Sequence, residues 1–281
     1  MSTTQSEKHA LFKSLHERPG LFVIPNPWNA GTARILTALG FEALATTSAG
    51  FAFSLGRRDG AAALSRDDVL ANAREIVEAT HLPVSADLED GYGSAPEACA
   101  ETVRLATAAG LVGGSIEDAT GDAENPIFEF DHAVERVAAA CEAARDLPFV
   151  LTARAENFLH GRPDLDDTIR RLRAFEKAGA EVVYAPGLPS LEAIRTLCES
   201  VERPVNVVMG LKPPIFSVEE LQEAGVKRIS VGGAFARAAL GAFVRAAREV
   251  KDKGTFTFST EAITGAEISQ FMASPGQERR R

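Results

Sequence analysis

The chain has 281 residues, 45% of them hydrophobic and 25% charged, which makes it an ordinary globular chain long enough to bury one large core. Its formal net charge of -9 repels nucleic-acid phosphates and anionic lipid surfaces, and no basic patch offsets this beyond the short tail Arg279 to Arg281. No run approaches the ~20 apolar residues of a membrane span, the N-terminus lacks the apolar core of a signal peptide, and Cys99, Cys141 and Cys198 show no CxxC spacing. The expectation is a cytoplasmic protein with unpaired thiols, binding neither nucleic acid nor membrane.

Along the chain, eight short apolar runs alternate with amphipathic helical stretches. The predicted strands are 21–25, 42–46, 83–87, 113–117, 148–154, 181–185, 204–208 and 228–231. Four of the helices stop on a glycine that leads into the next strand, Gly40, Gly110, Gly179 and Gly225. Helix starts are marked by Ser65, Ser190 and the pair Ser217 and Glu220, which reads as a capping box.

Eight strand-helix units with near-continuous apolar strands predict an α/β fold, a (β/α)8 TIM barrel, as one domain over 1–281. A doubly wound open sheet is the alternative, weakened because no Gly-x-Gly-x-x-Gly follows the first strand. Two long loops interrupt the rhythm, 48–64 and 119–130, of the kind that close over active sites. The segment 255–281 is a C-terminal extension with a final helix over 261–272.

In such a barrel the C-terminal ends of the strands form one rim, so polar residues there converge on a single mouth. This chain places there Asn26 and Asn29, Ser48, Asp87, Glu89 and Asp90, Glu117 and Asp118, Arg154 and Glu156, with Asn206 inside the seventh strand. Asp87, Glu89 and Glu117 on adjacent strands would repel one another, and a hard cation with oxygen ligands, Mg2+ or Mn2+, relieves this; the competing reading is solvated surface acids. Arg154 ends an apolar strand and can take a substrate carboxylate or phosphonate, or pair with Glu156 or Glu117. The turn Thr46, Thr47, Ser48, Ala49, Gly50 offers small side chains and amides for an oxyanion. Tyr92 is an acid, a substrate contact or a loop anchor, and His160 reads as a solvated loop residue.

These pieces in order resemble the isocitrate lyase and phosphoenolpyruvate mutase superfamily over nearly the whole length. The resemblance rests on Asn26-Pro-Trp-Asn-Ala30, Thr47-Ser-Ala-Gly50, Gly56-Arg-Arg-Asp59, Asp87-Leu-Glu-Asp-Gly-Tyr-Gly93, Ser115-Ile-Glu-Asp118, Thr152-Ala-Arg154, and Asn206 with 214–221. It implies that Asp87 ligates Mg2+ directly, with Asp59, Glu89 and Glu117 supporting the ion through waters. It also implies that Thr46, Ser48, Ala49, Gly50, Arg154 and Asn206 bind substrate, and that Arg154, Ser48, Tyr92 and Glu117 take part in catalysis. It further implies tetramers, or at least homo-oligomers, that swap a C-terminal helix, here 261–272.

The loop after the fourth strand departs from the pattern. Lyases of this superfamily carry Lys-Lys/Arg-Cys-Gly-His there, whereas this chain reads Glu117-Asp-Ala-Thr-Gly-Asp-Ala-Glu-Asn-Pro126. The expected function is therefore a Mg2+-dependent carbon–carbon lyase or decarboxylase on a small 2-oxo or 2-hydroxy carboxylic acid, through a metal-stabilised enolate. Phosphonomutase or phosphonopyruvate hydrolase chemistry, and a non-catalytic 2-oxo acid binder, are the alternatives.

Overall fold

A computed structural model describes residues 3–60 and 63–273. In chain order the elements are α1 (Gln5–Glu17), β1 (Phe22–Ile24), α2 (Ala30–Ala38), β2 (Leu44–Ala45), α3 (Ser48–Ser54), α4 (Arg66–Ala79), β3 (Val84–Asp87), α5 (Pro96–Ala108), β4 (Gly113–Glu117) and α6 (Phe130–Ala144). They continue through β5 (Val150–Arg154), α7 (Leu165–Ala178), β6 (Val182–Tyr184), α8 (Leu191–Ser200), β7 (Val205–Val208), α9 (Val218–Glu223), β8 (Arg228–Ser230), α10 (Ala234–Lys253) and α11 (Gly265–Met272).

The strands pair in parallel in the order β1-β8-β7-β6-β5-β4-β3-β2. The gap between β1 and β2 is bridged where the Ala45 N–H donates to the Pro25 carbonyl at 3.0 Å, so the sheet forms the expected (β/α)8 barrel. Each predicted apolar run contains its strand. Gly40, Gly110, Gly179 and Gly225 all have φ between 86° and 116°, the left-handed conformation expected after a helix. Ser65, Ser190 and Ser217 accept from the Asp68, Ala193 and Glu220 amides, and the Ser217 to Glu220 capping box is complete.

Two large cores cover the barrel. Leu70, Ile76, Val103 and Leu111 pack around Phe149 and Leu151 on one side, and Leu172, Phe175, Ile194 and Leu197 pack around Val183 and Val207 on the other.

Three features were not read from the sequence. The mostly polar N-terminal segment forms α1, which stops the bottom of the barrel with Phe12 and Leu15 against Phe22, Ile24, Val112, Val150 and Val182. Gly113 on β4 permits this, since a Cβ there would lie 2.7 Å from the Phe12 ring. The segment 48–64 is not loop throughout: it opens with α3, capped by Thr47.

The third concerns the C-terminal end. Helix α11, inside the predicted 261–272, rests on α2 of its own chain, with Arg34 Nη1 donating to the Met272 carbonyl at 2.9 Å. The helix without a seat is instead α10. It follows β8, where the eighth barrel helix belongs in chain order, yet only Ala236 is buried, and Leu240 and Phe243 are 43% and 69% exposed. The Arg279 to Arg281 tail and the extension beyond 273 lie outside the described residues.

Cys99, Cys141 and Cys198 are all free thiols. Among the described residues no helix is long and apolar enough to cross a membrane.

Candidate active site

Strand β3 delivers Asp87 to the rim, and the backbone then folds into a tight turn. Glu89 and Tyr92 both take positive φ, 48° and 61°, costly for non-glycine residues. Gly91, at φ 81°, leaves no room for a side chain, because a Cβ would meet Cys99 Sγ at 2.8 Å. The turn is held from inside: Asp90 accepts from the Tyr92 amide at 2.8 Å, Thr102 donates to the Gly91 carbonyl at 2.8 Å, and buried Arg136 donates to the Asp90 and Gly93 carbonyls beneath the Phe128 ring.

Asp87 is gripped from the neighbouring strand end. Its amide donates to Thr46 Oγ1 at 3.1 Å, and its Oδ2 accepts from Ser48 Oγ at 2.9 Å and the Ser48 amide at 3.3 Å. Glu117 at the end of β4 lies 3.0 Å from Arg154 Nη1, and Asp87 lies 3.8 Å from the same nitrogen. Arg154 Nε donates to Glu156, and its guanidinium sits over the Tyr184 ring at 5.0 Å.

Arg154 is thus shared among three carboxylates. Burial opposes its charge, but Glu117 and Glu156 outweigh this and keep it protonated. Burial raises Glu156, but Arg154 and His160 together outweigh it and leave its pKa lowered. Burial, reinforced by Glu156 and Asp87 and only partly offset by Arg154, pushes Glu117 well above the usual carboxylate range. Glu89 is pushed up to about 8 by burial and then by Asp87, Asp90 and Asp59. Asp59, on the loop after α3, is raised by burial and by Asp87, which places it within electrostatic reach of the cluster. One guanidinium among so many acids leaves an excess of negative potential at the mouth.

Not every predicted residue faces ligand. The Gly50 amide donates to Thr47 Oγ1 at 3.3 Å, and a Cβ at Gly50 would press on Trp28 and Ala236, so Gly50 packs and caps rather than binding an oxyanion. Ala49 lies beside it, packed on Gly233. Asn206 has partners inside the barrel, its Oδ1 accepting from Arg228 at 2.8 Å and its Nδ2 donating to Ser230 at 3.1 Å, and it lines the cavity beneath Asp87. Asn26 ties three strand ends, through Thr46, Val231 and Gly232, and Asn29 caps α2. His160 is more than a solvated residue, lying 3.4 Å from Glu156, which raises its pKa.

Tyr92 is half-buried, its hydroxyl oxygen is shielded from solvent and has no partner, and burial together with Glu89 and Asp87 raises its pKa. It is a neutral donor facing an acidic site. Tyr184, Arg228 and Ser230 line a cavity of about 60 Å3 below the acids and were missed, because the register that turns them inward is not visible in any one strand.

The loop after β4 is a closed hairpin. Ala119 and Ile127 form an antiparallel bridge, Thr120 donates to the Asn125 carbonyl, and Arg171 staples the base through Asp118 and Phe128. It brings no lysine, cysteine or histidine to the mouth.

The family model described as phosphoenolpyruvate phosphomutase matches residues 12–251, a span that includes every strand and the whole acid cluster. The chain belongs to the phosphoenolpyruvate phosphomutase family. Among solved structures, a candidate lyase/mutase from Burkholderia cenocepacia is 57% identical and superposes with a TM-score of 0.94, covering 96% of this chain and 97% of that one. Oxaloacetate acetylhydrolase, solved with its product oxalate, is 25% identical with a TM-score of 0.86, over 96% and 95% of the two chains. The 2-methylisocitrate lyase of Escherichia coli is 32% identical over 208 residues, 70% of this chain and 69% of that enzyme. The phosphoenolpyruvate phosphomutase family is thus one of enzymes, lyases and mutases among them, on one barrel, and the resemblance drawn from the motifs is borne out.

Proposed function

We propose that the chain is a Mg2+-dependent carbon–carbon lyase or decarboxylase, acting in the cytoplasm on a small 2-oxo or 2-hydroxy carboxylic acid. The observation that carries this is the acid cluster itself: Asp87 clasped by Ser48 and Arg154, with Asp59, Glu89 and Glu117 pushed up in pKa around it.

The donor set is all oxygen, which suits Mg2+ or Mn2+ rather than a softer ion. Among the described residues no three acidic, histidine or cysteine side chains converge closely enough to cage an ion. The arrangement therefore fits a cation with Asp87 as ligand and the other acids as outer supports. Such a cation supplies positive charge next to an oxyanion that develops on the substrate.

The chain's own residues do the rest. Ser48 Oγ and Arg154 fix Asp87, and Arg154 keeps a positive face beside the substrate carboxylate. The Tyr92 hydroxyl, free of any protein partner, is a donor to bound substrate. The pinned hairpin offers no proton donor of its own, which favours loss of CO2, the cleavage that needs no strong general acid. The oxaloacetate-cleaving and methylisocitrate-cleaving relatives support the substrate class.

The test is incubation with Mg2+ and oxaloacetate, substituted malates, 2-methylisocitrate or phosphonopyruvate, following pyruvate and phosphate. Pyruvate release from a 2-oxo or 2-hydroxy diacid, absent in Asp87→Ala, is expected. Phosphate release from phosphonopyruvate alone, or no turnover with ligand-dependent stabilisation, would contradict it. We also infer a homo-oligomer, a dimer or tetramer, from the exposed apolar residues of α10.

A further inference from the structure

Below the acids the barrel interior departs from the branched aliphatic layers usual in this fold. Asn206, Tyr184 and Ser230 border the cavity of about 60 Å3, and its floor carries Arg228. The lining runs from Thr47 and Asp87 at the rim down to this guanidinium.

Arg228 is 5% exposed, and every side-chain partner it has is neutral. Nε donates to Asn206 Oδ1 at 2.8 Å, Nη2 to Thr152 Oγ1 at 3.0 Å, and Nη1 meets His16 Nε2 at 3.3 Å. His16 accepts there because its Nδ1 donates to the Phe12 carbonyl at 2.8 Å, and burial together with Arg228 holds it neutral, its pKa lowered to about 3. Three of five guanidinium hydrogens are thus engaged, leaving two.

The other buried guanidiniums differ. Arg154 and Arg171 pair with carboxylates. Arg136 donates to two carbonyls under an aromatic ring. Among the described residues no carboxylate pairs with Arg228. A buried guanidinium without a counter-ion costs several kcal/mol, and an anion in the adjoining space removes that cost.

We propose that the floor of the barrel is an anion site in which Arg228, with Thr152, Asn206 and Ser230 around it, holds a carboxylate-sized planar oxyanion. The space fixes the size. One water needs about 10–15 Å3 of such volume, so the cavity of about 60 Å3 has room for roughly four to six water-sized groups, enough for a carboxylate of three heavy atoms. The anion is either a free one-carbon acid such as formate or bicarbonate, or one end of a longer acid entering from the mouth. This site does not depend on the metal or on the lyase reading.

The experiment is thermal unfolding in EDTA at constant ionic strength, with sodium formate replacing sodium chloride, whose anion is not a planar oxyanion. A saturable rise of a few degrees is expected for the wild type, with no rise for Arg228→Gln and a weaker midpoint for Arg228→Lys. Should Arg228→Gln fail to fold, Ser230→Ala keeps the charge and alters the wall; it is expected to shift the formate midpoint to higher concentration. Malonate acting at lower concentration than formate, with the advantage lost in Arg228→Lys, assigns the floor to one end of a longer acid. Equal action assigns it to a free one-carbon anion. No saturable rise with either anion, or the same rise in every variant, overturns the site.

Discussion

The hydroxyl of Tyr92 is shielded from solvent beside four acids and unsatisfied, an arrangement that costs stability unless a ligand completes it. Tyr92→Phe is therefore expected to leave stability unchanged or raise it by about 1 kcal/mol, while lowering turnover by roughly tenfold or more. Urea unfolding and steady-state kinetics check both, and unchanged turnover would make Tyr92 a loop anchor only. His16 provides a second residue-scale test. Its folded pKa of about 3 lies below the ordinary imidazole value of about 6.5, so the unfolded chain binds the extra proton first as pH falls. Stability should therefore be full above about pH 6.5 and fall by up to about 1.4 kcal/mol per pH unit towards the lower value. His16→Gln, whose amide oxygen can still accept from Arg228, should flatten that dependence in urea midpoints taken between pH 7 and 4. Asp87, Glu117 and Arg154 were legible in the sequence because each ends an apolar strand. The partners of Asn206, Arg228 and Ser230, were not legible because they lie on a neighbouring strand far off in sequence.

At the scale of elements, the strands and their glycine stops were readable because apolar runs and left-handed caps are local signals. Helix α1 was not, since only Phe12 and Leu15 of its inward face are strongly apolar and the rest of the segment is polar. Yet these two side chains seal the barrel bottom beneath His16 and Arg228. Phe12→Ala is expected to cost about 3–5 kcal/mol, measured by denaturant unfolding; a cost below 1 kcal/mol would mean that α1 lies on the barrel without plugging it. The hairpin after β4 was expected to be a long loop of the gating kind. Its closure depends on Arg171 of α7, a residue 53 positions from Asp118, and no sequence window contains both.

For the whole molecule, the order of strands and the placement of the mouth follow from the barrel, whereas the role of the C-terminal end needed coordinates. Sequence pattern identified a last helix but not that α10, the longer one, lacks a seat. Light scattering is expected to give a dimer or tetramer, and Phe243→Glu should shift it towards monomer; a wild-type monomer would contradict the inference. The central claim is that the acids at the mouth hold one divalent cation. Calorimetric titration of Mg2+ into chelator-treated protein tests it most directly. One ion per chain is expected for the wild type, and no measurable uptake for Asp87→Ala of unchanged secondary structure. A wild type that takes up neither Mg2+ nor Mn2+, or an Asp87→Ala variant that binds as well as the wild type, would contradict the account.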